Sequence, residues 1–598
     1  MIKVSDYIMK RLKEKYAVDC VFMVSGGGAM HLNDSVGKYL PYICNHNEQG
    51  CSIAAEGYAR VNQKLAVANI TTGPGGLNCL NGVMGEWTDS VPVLYLSGQV
   101  KYTTTMDSCK EVPLRQLGDQ EVDIISVVKP LTKYAVMVKE AKDIKYHLDR
   151  AIHLATSGRF GPVWLDIPLN IQAAMIDEND LRDYDPTEDD LHLPDISQEI
   201  KQLAQMIDEA KRPLFVAGHG IRLSGALAEF EQLVEKLNIP VVTTMNGFDT
   251  VSEDNPNFVA RIGTVANRAG NFTLQNADLV ITVGSRNNIR QVSYNWENYA
   301  KNAKLVCVDI DRAELDKKTI NPTLKIHADC KDFITKLMGV VQQRQPNEWN
   351  KWTREIKAKY PPVQEAPRVG DNPIEPYAFI EKLIQHFKEN EVVVGGNGTA
   401  FLVPFQVGQV KKGQRYIWNS GDASMGYDLP AAIGACCAND RKDTICLAGD
   451  GSIMMNLQEL QTMKHYQLPI KLFILNNDGY ISIQQTQKNF FEGRMTACTR
   501  DSGVTLPDFI RLGQAFDLPT VRIETKENLD EQIQKVLDMK GPVLCEVMLS
   551  PGYIFAPKLS AKKLPDGSMV SPSLEDLFPF LPKEEVEENM IKEKNIGE

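Results

Sequence analysis

Two short polar turns, each directly after a strongly apolar run, constrain the fold of this chain most. The turn GDGS at 449–452 follows the run TICLA, and the turn NNDG at 476–479 follows the run IKLFIL. Between them, residues 453–466 carry apolar side chains at helical spacing, so the segment predicts strand, turn, helix, strand and turn. In a parallel sheet both turns emerge at the carboxyl edge, where open α/β folds bind ligands. We therefore expect Asp450 and Asn477 to lie side by side.

These two side chains have the chemistry of a site for a metal-bound diphosphate. Mg²⁺ prefers hard oxygen ligands, one or two of them carboxylates and the rest from phosphates and water. Glycines let backbone N–H groups approach phosphate oxygens, and a helix N-terminus favours negative charge. GDG alone is a weak signal, because Asp-Gly usually marks a turn. The alternative is therefore that both segments are simple turns.

Length and composition limit the kind of protein. A chain of 598 residues is too long for one core and predicts three or four domains. The net charge of −12 and the lack of a basic stripe argue against a nucleic-acid partner. No apolar run is long enough for a membrane span, and the amphipathic start is not typical of a signal peptide. The twelve cysteines contain no CxxC pair, which favours a reducing, cytoplasmic location.

Two acidic, proline-containing stretches, 177–198 and 345–376, are predicted linkers. They separate domains at 1–176, 199–344 and 377–550, followed by a closing tail at 551–598 with a helical segment and an acidic end. Each domain alternates β-branched runs with helical patterns, so the predicted fold is α/β with three parallel-sheet domains. A dinucleotide-dependent dehydrogenase is a weaker hypothesis, because the glycine clusters at 25–28 and 218–220 lack the G-x-G-x-x-G pattern.

Further motifs fall in the order found in one enzyme family. They are VFMVSGGGAM at 21–30, NEQGCSIAAEGYAR at 47–60, TTGPGGLN at 71–78, GPVWLDIP at 161–168, GNGTAFLVP at 396–404 and NSGDASMGYDLPAAIGA at 419–435. With the two turns, they make the chain resemble the thiamine diphosphate (ThDP)-dependent carboligases and decarboxylases along nearly its whole length. Within that family it is most similar to the acetolactate synthase catalytic (large) subunit. The resemblance implies a pyrimidine-binding first domain, a central FAD-domain-like unit and a diphosphate- and Mg²⁺-binding third domain.

In the first domain the resemblance implies that Glu48 is catalytic. It would hydrogen-bond the aminopyrimidine of ThDP and so favour the tautomer that activates the cofactor. Its small and apolar neighbours predict a desolvated carboxylate, suited to proton exchange near neutrality. The alternative is that Glu48 merely caps its helix. Pro74 and Asn78 are expected beside the pyrimidine ring, and Gln120 is a candidate residue of the substrate pocket.

The third domain would hold the rest of the cofactor. The resemblance implies that Met425 is an apolar wedge between the two rings and that the Ala423 carbonyl accepts from the 4′-amino group. Met425 could instead be an ordinary core residue. Asp450, Asn477 and the carbonyl of Gly479 are the expected Mg²⁺ ligands. The residues expected near the diphosphate are Gly398, Thr399, Ala400, Gly451 and Ser452.

The central domain raises the question of a flavin. Arg286 and Arg290 match two arginines that lie near FAD in the family, and a guanidinium suits a pyrophosphate. However, Asn288 and Ile289 replace the acidic pair usual between them. Two expectations stay open: a bound FAD with a structural role, or a domain that keeps its fold without flavin.

The resemblance implies decarboxylation of a 2-keto acid, pyruvate first of all, and transfer of the acyl carbanion to a second carbonyl. It also implies a homodimer or homotetramer whose active sites are shared between subunits. Four positions depart from acetolactate synthases in the expected substrate pocket: Asp119, Leu169, Ser482 and Thr486. Alternatives are therefore a carboligase for a sugar or nucleotide-sugar ketone, a flavin-dependent pyruvate oxidase-type enzyme, and a homologue without chemistry.

Overall fold

The computed structural model describes residues 1–362, 374–563 and 569–591. Parts of the predicted second linker (363–373) and of the tail, including its acidic end at 592–598, lie outside the described residues. Within the described ranges the chain forms three six-stranded parallel sheets, which confirms the predicted α/β fold class. The strands are apolar and mostly buried, as expected when helices cover both faces of a parallel sheet.

In each sheet the spatial order of the strands differs from their order along the chain. From one edge to the other, the first sheet consists of Tyr42–Cys44, Val21–Met23, Ala66–Ile70, Val93–Gln99, Val163–Pro168 and Tyr134–Met137. The central sheet consists of Phe258–Arg261, Val241–Thr243, Pro213–Ala217, Leu279–Val283, Lys304–Asp309 and Leu324–His327. The third sheet consists of Arg415–Ile417, Val392–Gly395, Thr444–Gly449, Ile470–Asn476, Val543–Met548 and Thr520–Ile523.

Helices fill the connections. Those of the first domain include Val4–Glu14, Met30–Tyr39, Glu48–Asn62, Pro74–Asn78, Leu80–Asp89, Ile124–Val128, Ile144–Thr156 and Leu169–Gln172. Those of the central domain include Ser197–Glu209, Gly220–Leu223, Leu227–Leu237, Arg268–Asn276, Ile289–Val292, Arg312–Asp316 and Cys330–Val340. Those of the third domain and tail include Pro376–Gln385, Thr399–Val407, Asp428–Ala438, Asp450–Ile453, Glu459–His465, Ile481–Phe490, Phe509–Ala515, Leu529–Asp538 and Lys583–Glu588. In the ranges that the structure describes, no helix is long and apolar enough to span a bilayer.

The segment predicted as the second linker contains a helix, Glu348–Lys359, that packs on the central domain. The Trp349 indole donates to the Pro213 carbonyl at 2.9 Å, and the Asn350 amide donates to the Asn238 carbonyl at 2.7 Å. The buried side of this helix therefore belongs to the central domain's packing.

The first and third domains share one core through a close helix crossing. Helix Glu48–Asn62 lies against helix Asp428–Ala438, and both contribute to the same apolar cluster. A Cβ atom at Gly57 would lie 2.2 Å from the Ala431 carbonyl oxygen, and one at Gly434 would lie 1.8 Å from that of Ala54. Glycine is thus required at both positions for the backbones to approach this closely. The crossing fixes the helix whose first residue is Glu48.

Candidate active site

The two polar turns meet as their spacing predicts. Strand Thr444–Gly449 pairs in parallel with Ile470–Asn476, with Gly449 opposite Leu475, so both turns leave the same sheet edge. One carboxylate oxygen of Asp450 accepts from the backbone N–H groups of Asn477 at 2.9 Å and Gly479 at 3.1 Å. The other accepts from the N–H of Gly451 at 2.6 Å. The Asp450 carboxylate is therefore held in place by both turns.

The oxygen atoms at this edge fit a hard cation. Burial raises the pKa of Asp450 to about 6, although three backbone N–H donors act against the rise. A buried carboxylate of this kind gains from a positive partner. Asn477 is buried too, and its Oδ1 has no hydrogen-bond partner among the described residues. One carboxylate and one free amide oxygen suit Mg²⁺, which takes its other ligands from phosphates and water.

The predicted diphosphate loop lies at the adjoining strand, Val392–Gly395. Gly398 has a φ of 56° and precedes helix Thr399–Val407, whose N-terminus favours an anion. Thr399 is buried, with its hydroxyl bonded to that of Tyr553, and Ala400 is buried in the apolar core. At Gly451 a Cβ atom would lie 2.2 Å from the Tyr480 ring.

The loop at 419–427, predicted to shape the cofactor, is anchored at both sides of Met425. Ala423 has a φ of 57°, and its carbonyl accepts from the Asn397 amide at 3.1 Å. Ser452 Oγ accepts from the N–H of Gly426 at 2.9 Å and donates to Asp428 at 2.6 Å. The side chain of Ser452, predicted near the diphosphate, thus holds this loop, while Met425 itself is half-buried.

Glu48 is the first residue of its helix and is half-buried in the single chain. The Asn78 amide donates to one of its carboxylate oxygens at 3.0 Å, and a Cβ atom at Gly75 would lie 3.4 Å from the other. The pyrimidine loop is thus brought to Glu48, with Pro74 exposed beside it. The helix cap is Asn47, whose side chain accepts from Gln49 N, so Glu48 is not engaged as the cap.

Gln120 lies against the same loop through its backbone. A Cβ atom at Gly73 would lie 1.9 Å from the Gln120 carbonyl oxygen, and both residues have positive φ. Gln120 is exposed, whereas Glu121 is buried and accepts from the N–H groups of Leu117 and Gly118, each at 3.1 Å. Glu121 therefore holds the loop that presents Gln120.

The site residues form two separate groups within one chain. No hydrogen bond or ion pair between described residues joins Glu48 to Asp450 or Asn477. The first and third domains meet near Glu48. There Glu459 of the third domain accepts from the Asn45 amide at 2.9 Å and from the His46 N–H at 3.0 Å.

A buried charge cluster on the Glu48 helix is absent from the sequence-based prediction. Arg60 pairs with Glu56 at 2.8 Å and with Asp89 at 2.7 Å. Burial raises the pKa of Glu56 to about 7, with Arg60 opposing the rise and Asp89 adding to it. A glutamate and an arginine four residues apart, among small apolar residues, are the signal that could have revealed it.

A pocket lies at the carboxyl ends of strands Pro213–Ala217 and Leu279–Val283 of the central domain. The strand order reverses direction there, which is where such sheets bind ligands. Arg286 lines the pocket and lies 3.5 Å from Asp89, whereas Arg290 is exposed and outside the lining. His219 Nδ1, also in the lining, is buried without a hydrogen bond to any described residue. The pocket's position at this reversal and its unsatisfied polar atom suit a dinucleotide.

Comparison with known proteins agrees with this arrangement. Three family models match the chain: the thiamine pyrophosphate enzyme N-terminal TPP binding domain over residues 2–127, the central domain over 200–337 and the C-terminal TPP binding domain over 396–547. The chain belongs to the thiamine pyrophosphate enzyme family, and the prediction of a ThDP-dependent enzyme is confirmed.

The most similar relatives include acetolactate synthase large subunits. That of Lactococcus lactis is 31% identical over 567 residues, which cover 93% of this chain and 94% of that protein. The isozyme 1 large subunit of Escherichia coli is 29% identical, with 90% and 92% covered, and the large subunit of Cyanidium caldarium is 29% identical, with 92% and 96% covered. The resemblance to acetolactate synthase large subunits is therefore confirmed.

Proposed function

We propose that the protein binds ThDP with Mg²⁺, decarboxylates a 2-keto acid, pyruvate in the first place, and joins the acyl unit to a second carbonyl compound. The unpartnered Asn477 Oδ1 beside the buried Asp450 carboxylate is the observation that carries this proposal. The names of the relatives, which are acetolactate synthases, support the carboligation, and pyruvate is the substrate that the family resemblance implies.

The two groups of residues would have different roles in binding and activating the cofactor. Asp450, Asn477 and the Gly479 carbonyl would hold Mg²⁺, and the N-terminus of helix Thr399–Val407 would receive the diphosphate. Bound ThDP supplies the electron sink for decarboxylation. Glu48 would hold and return a proton at the aminopyrimidine, while Met425 would hold the two rings in a bent shape.

A homodimer with shared sites would bring the two groups together. Glu48 is half-buried, and no hydrogen bond or ion pair between described residues joins it to Asp450 within the chain. Large apolar side chains are exposed near both groups: Leu77 at 40%, Met30 at 53%, Met455 at 46% and Ile483 at 46%. A partner subunit that covered them would also desolvate the Glu48 carboxylate, which its proton exchange requires.

FAD is the ligand that we propose for the central pocket, in a structural role. Its support is the pocket's position at the reversal of strand order and the Arg286 guanidinium in its lining. Denaturing the purified protein should release a compound with the absorbance spectrum of a flavin. A colourless protein that binds no added FAD would refute the proposal.

The main test supplies pyruvate with ThDP and Mg²⁺ and follows CO₂ release, with products identified by mass spectrometry. Glu48→Gln should lower turnover by about 10²- to 10⁴-fold, the usual weight of one acid–base group. The exposed Glu140→Gln is the matched control and should act like the wild type. Absence of ThDP-dependent decarboxylation with a panel of 2-keto acids would disprove the proposal.

A further inference from the structure

Two loops of the first domain meet beside the proposed active site. One is the pyrimidine loop, residues 71–78, and the other is the loop at 117–122 that presents Gln120. Gly73 and Gln120 touch, since a Cβ atom at Gly73 would lie 1.9 Å from the Gln120 carbonyl oxygen, and their φ values are 60° and 61°. A glutamine rarely adopts such a φ, so the surrounding structure must hold it there.

The side chain of Gln99 bonds to both loops from below, and it is fully buried. Its Oε1 accepts from the hydroxyl of Thr72 at 2.5 Å. Its Nε2 donates to the carbonyl of Val122 at 3.3 Å. One amide thus joins the residue before Gly73 to the residue two positions after Gln120.

A buried carboxylate fixes the orientation of this amide. Asp166, on the neighbouring strand Val163–Pro168, accepts from Gln99 Nε2 at 3.0 Å with one oxygen and from the Ser97 hydroxyl at 2.6 Å with the other. On the opposite side of the amide, the N–H of Val100 donates to Gln99 Oε1 at 3.0 Å. A flipped amide would set donor against donor and oxygen against oxygen. Only one orientation therefore satisfies the hydrogen bonds of Gln99.

An acidic residue suits this position because both of its neighbours donate. The Trp164 indole donates to the Ser97 hydroxyl at 2.8 Å, which leaves the Ser97 proton for Asp166. An ionised carboxylate accepts on both oxygens, whereas an amide in its place would present a donor on one side. Burial first of all raises the pKa of Asp166 to about 7, and Asp123 and Glu121 add to the rise, although its two hydrogen bonds oppose it. Above that pH the carboxylate is ionised and can accept both hydrogen bonds.

We propose that Gln99 is a positioning residue for the substrate pocket: its amide, oriented by Asp166, holds the loop of Gln120 against the pyrimidine loop. The pyrimidine loop in turn reaches Glu48 through Asn78, whose amide donates to that carboxylate at 3.0 Å. Gln99 thus sets the position of Gln120 relative to Glu48. This inference rests on the proposed function and on the predicted place of Gln120 in the substrate pocket.

Hydrogen exchange of the cofactor-free full chain at pH 8 tests the link between the two loops. Gln99→Met keeps the length of the side chain but removes its amide, so backbone amides in 71–78 and 117–122 should exchange at least about tenfold faster. Gln275→Met is the matched control and should leave both loops unchanged. Gln275 is also fully buried, and its amide bonds to a carbonyl at 2.9 Å, a carboxylate oxygen at 2.8 Å and a backbone N–H at 2.9 Å, all outside the first domain. Unchanged exchange in Gln99→Met, or equal acceleration by both variants, would overturn the proposal.

A kinetic arm measures kcat/KM for pyruvate at pH 8 with ThDP and Mg²⁺. Gln99→Met should lower it at least about tenfold, because a displacement of about 1 Å at an active site can cost roughly a hundredfold. Gln275→Met should act like the wild type. In a Gln120→Ala background Gln99→Met should have no further effect, because the side chain that it positions is gone. An equal loss in both backgrounds would show a general structural role and overturn the proposal.

Thr72→Val tests the same link if Gln99→Met does not fold, because it removes only the hydroxyl that donates to Gln99. It should speed exchange in both loops, and Thr72→Ser, which keeps a hydroxyl, should speed it less. Equal exchange rates in these two variants would contradict the proposal. A wild-type protein without ThDP-dependent decarboxylation would instead refute the proposed function, whereas the exchange arm, which needs no cofactor, would still decide whether Gln99 joins the loops.

Discussion

The two halves of the proposed cofactor site differ in how far one chain completes them. Asp450 is 2% exposed and receives hydrogen bonds from three backbone N–H groups of two turns. Glu48 is half-buried at the start of a helix, where it accepts from the side chain of Asn78. The anchoring half is thus formed by adjacent strands of one sheet, whereas the activating half faces outward.

This difference follows from what each half must do. A metal site gains from rigid ligands set by neighbouring strands, and the sheet supplies them without help from another chain. A carboxylate that exchanges protons near neutrality must be desolvated, and in the proposed homodimer a partner subunit would desolvate Glu48. We therefore expect the halves to be separate in function and complementary between chains, and substitutions in each half can test this.

The largest effect is expected for Asp450→Asn in the anchoring half. The amide would lose the negative charge and turn a donor group toward the N–H donors of Asn477 or Gly451. We expect ThDP-dependent activity to fall by more than about a hundredfold, together with Mg²⁺-dependent ThDP binding. The control is Asp478→Asn, an exposed carboxylate in the adjacent turn, which should retain both. Normal cofactor binding by Asp450→Asn would contradict the assignment.

Mixing two inactive variants tests the comparison directly. Glu48→Gln and Asp450→Asn subunits, dissociated and reassociated together, should form mixed dimers in which one of the two shared sites has neither substitution. Random pairing makes half of the dimers mixed, so about a quarter of wild-type activity should return. If each site came from one chain, every site would carry a substitution and no activity would return.

The sequence predicts the anchoring half better than the activating half. Asp450 and Asn477 each follow one of two adjacent parallel strands. Strand periodicity and chain direction therefore determine where both side chains lie. The spacing of Glu56 and Arg60 indicates that these two side chains pair, but Asp89 comes from another helix, and no local pattern encodes that contact or the burial of the cluster. The contact between the hydroxyls of Tyr553 and Thr399 is harder still to predict, because it joins a segment after the third sheet's strand Val543–Met548 to a helix more than a hundred residues earlier.

Gly57→Val tests how the two halves are joined inside one chain. The new side chain would begin 2.2 Å from the Ala431 carbonyl oxygen, so the two helices would have to separate. We expect a loss of about 3 kcal/mol, seen as a lower thermal unfolding midpoint. Gly37→Ala, in helix Met30–Tyr39, meets no atom within 4 Å and should be neutral or stabilising. Equal midpoints for both variants would show that the close crossing is unimportant.

The smallest expected effect separates two glutamates of one helix, Glu48 at its half-buried start and Glu56 in its buried middle. Burial first of all raises the pKa of Glu56 from 4.5 to about 7, so the fold loses stability as the pH rises through that interval. Glu56→Gln should remove this loss. It should stabilise the protein by roughly 2 kcal/mol above pH about 8 and by little below pH about 4.5. Thermal unfolding midpoints across this range measure it, with the exposed Glu140→Gln as control. A variant whose pH profile parallels that of the wild type would show that Glu56 does not titrate in the interval, and the buried cluster would then be a fixed ion network.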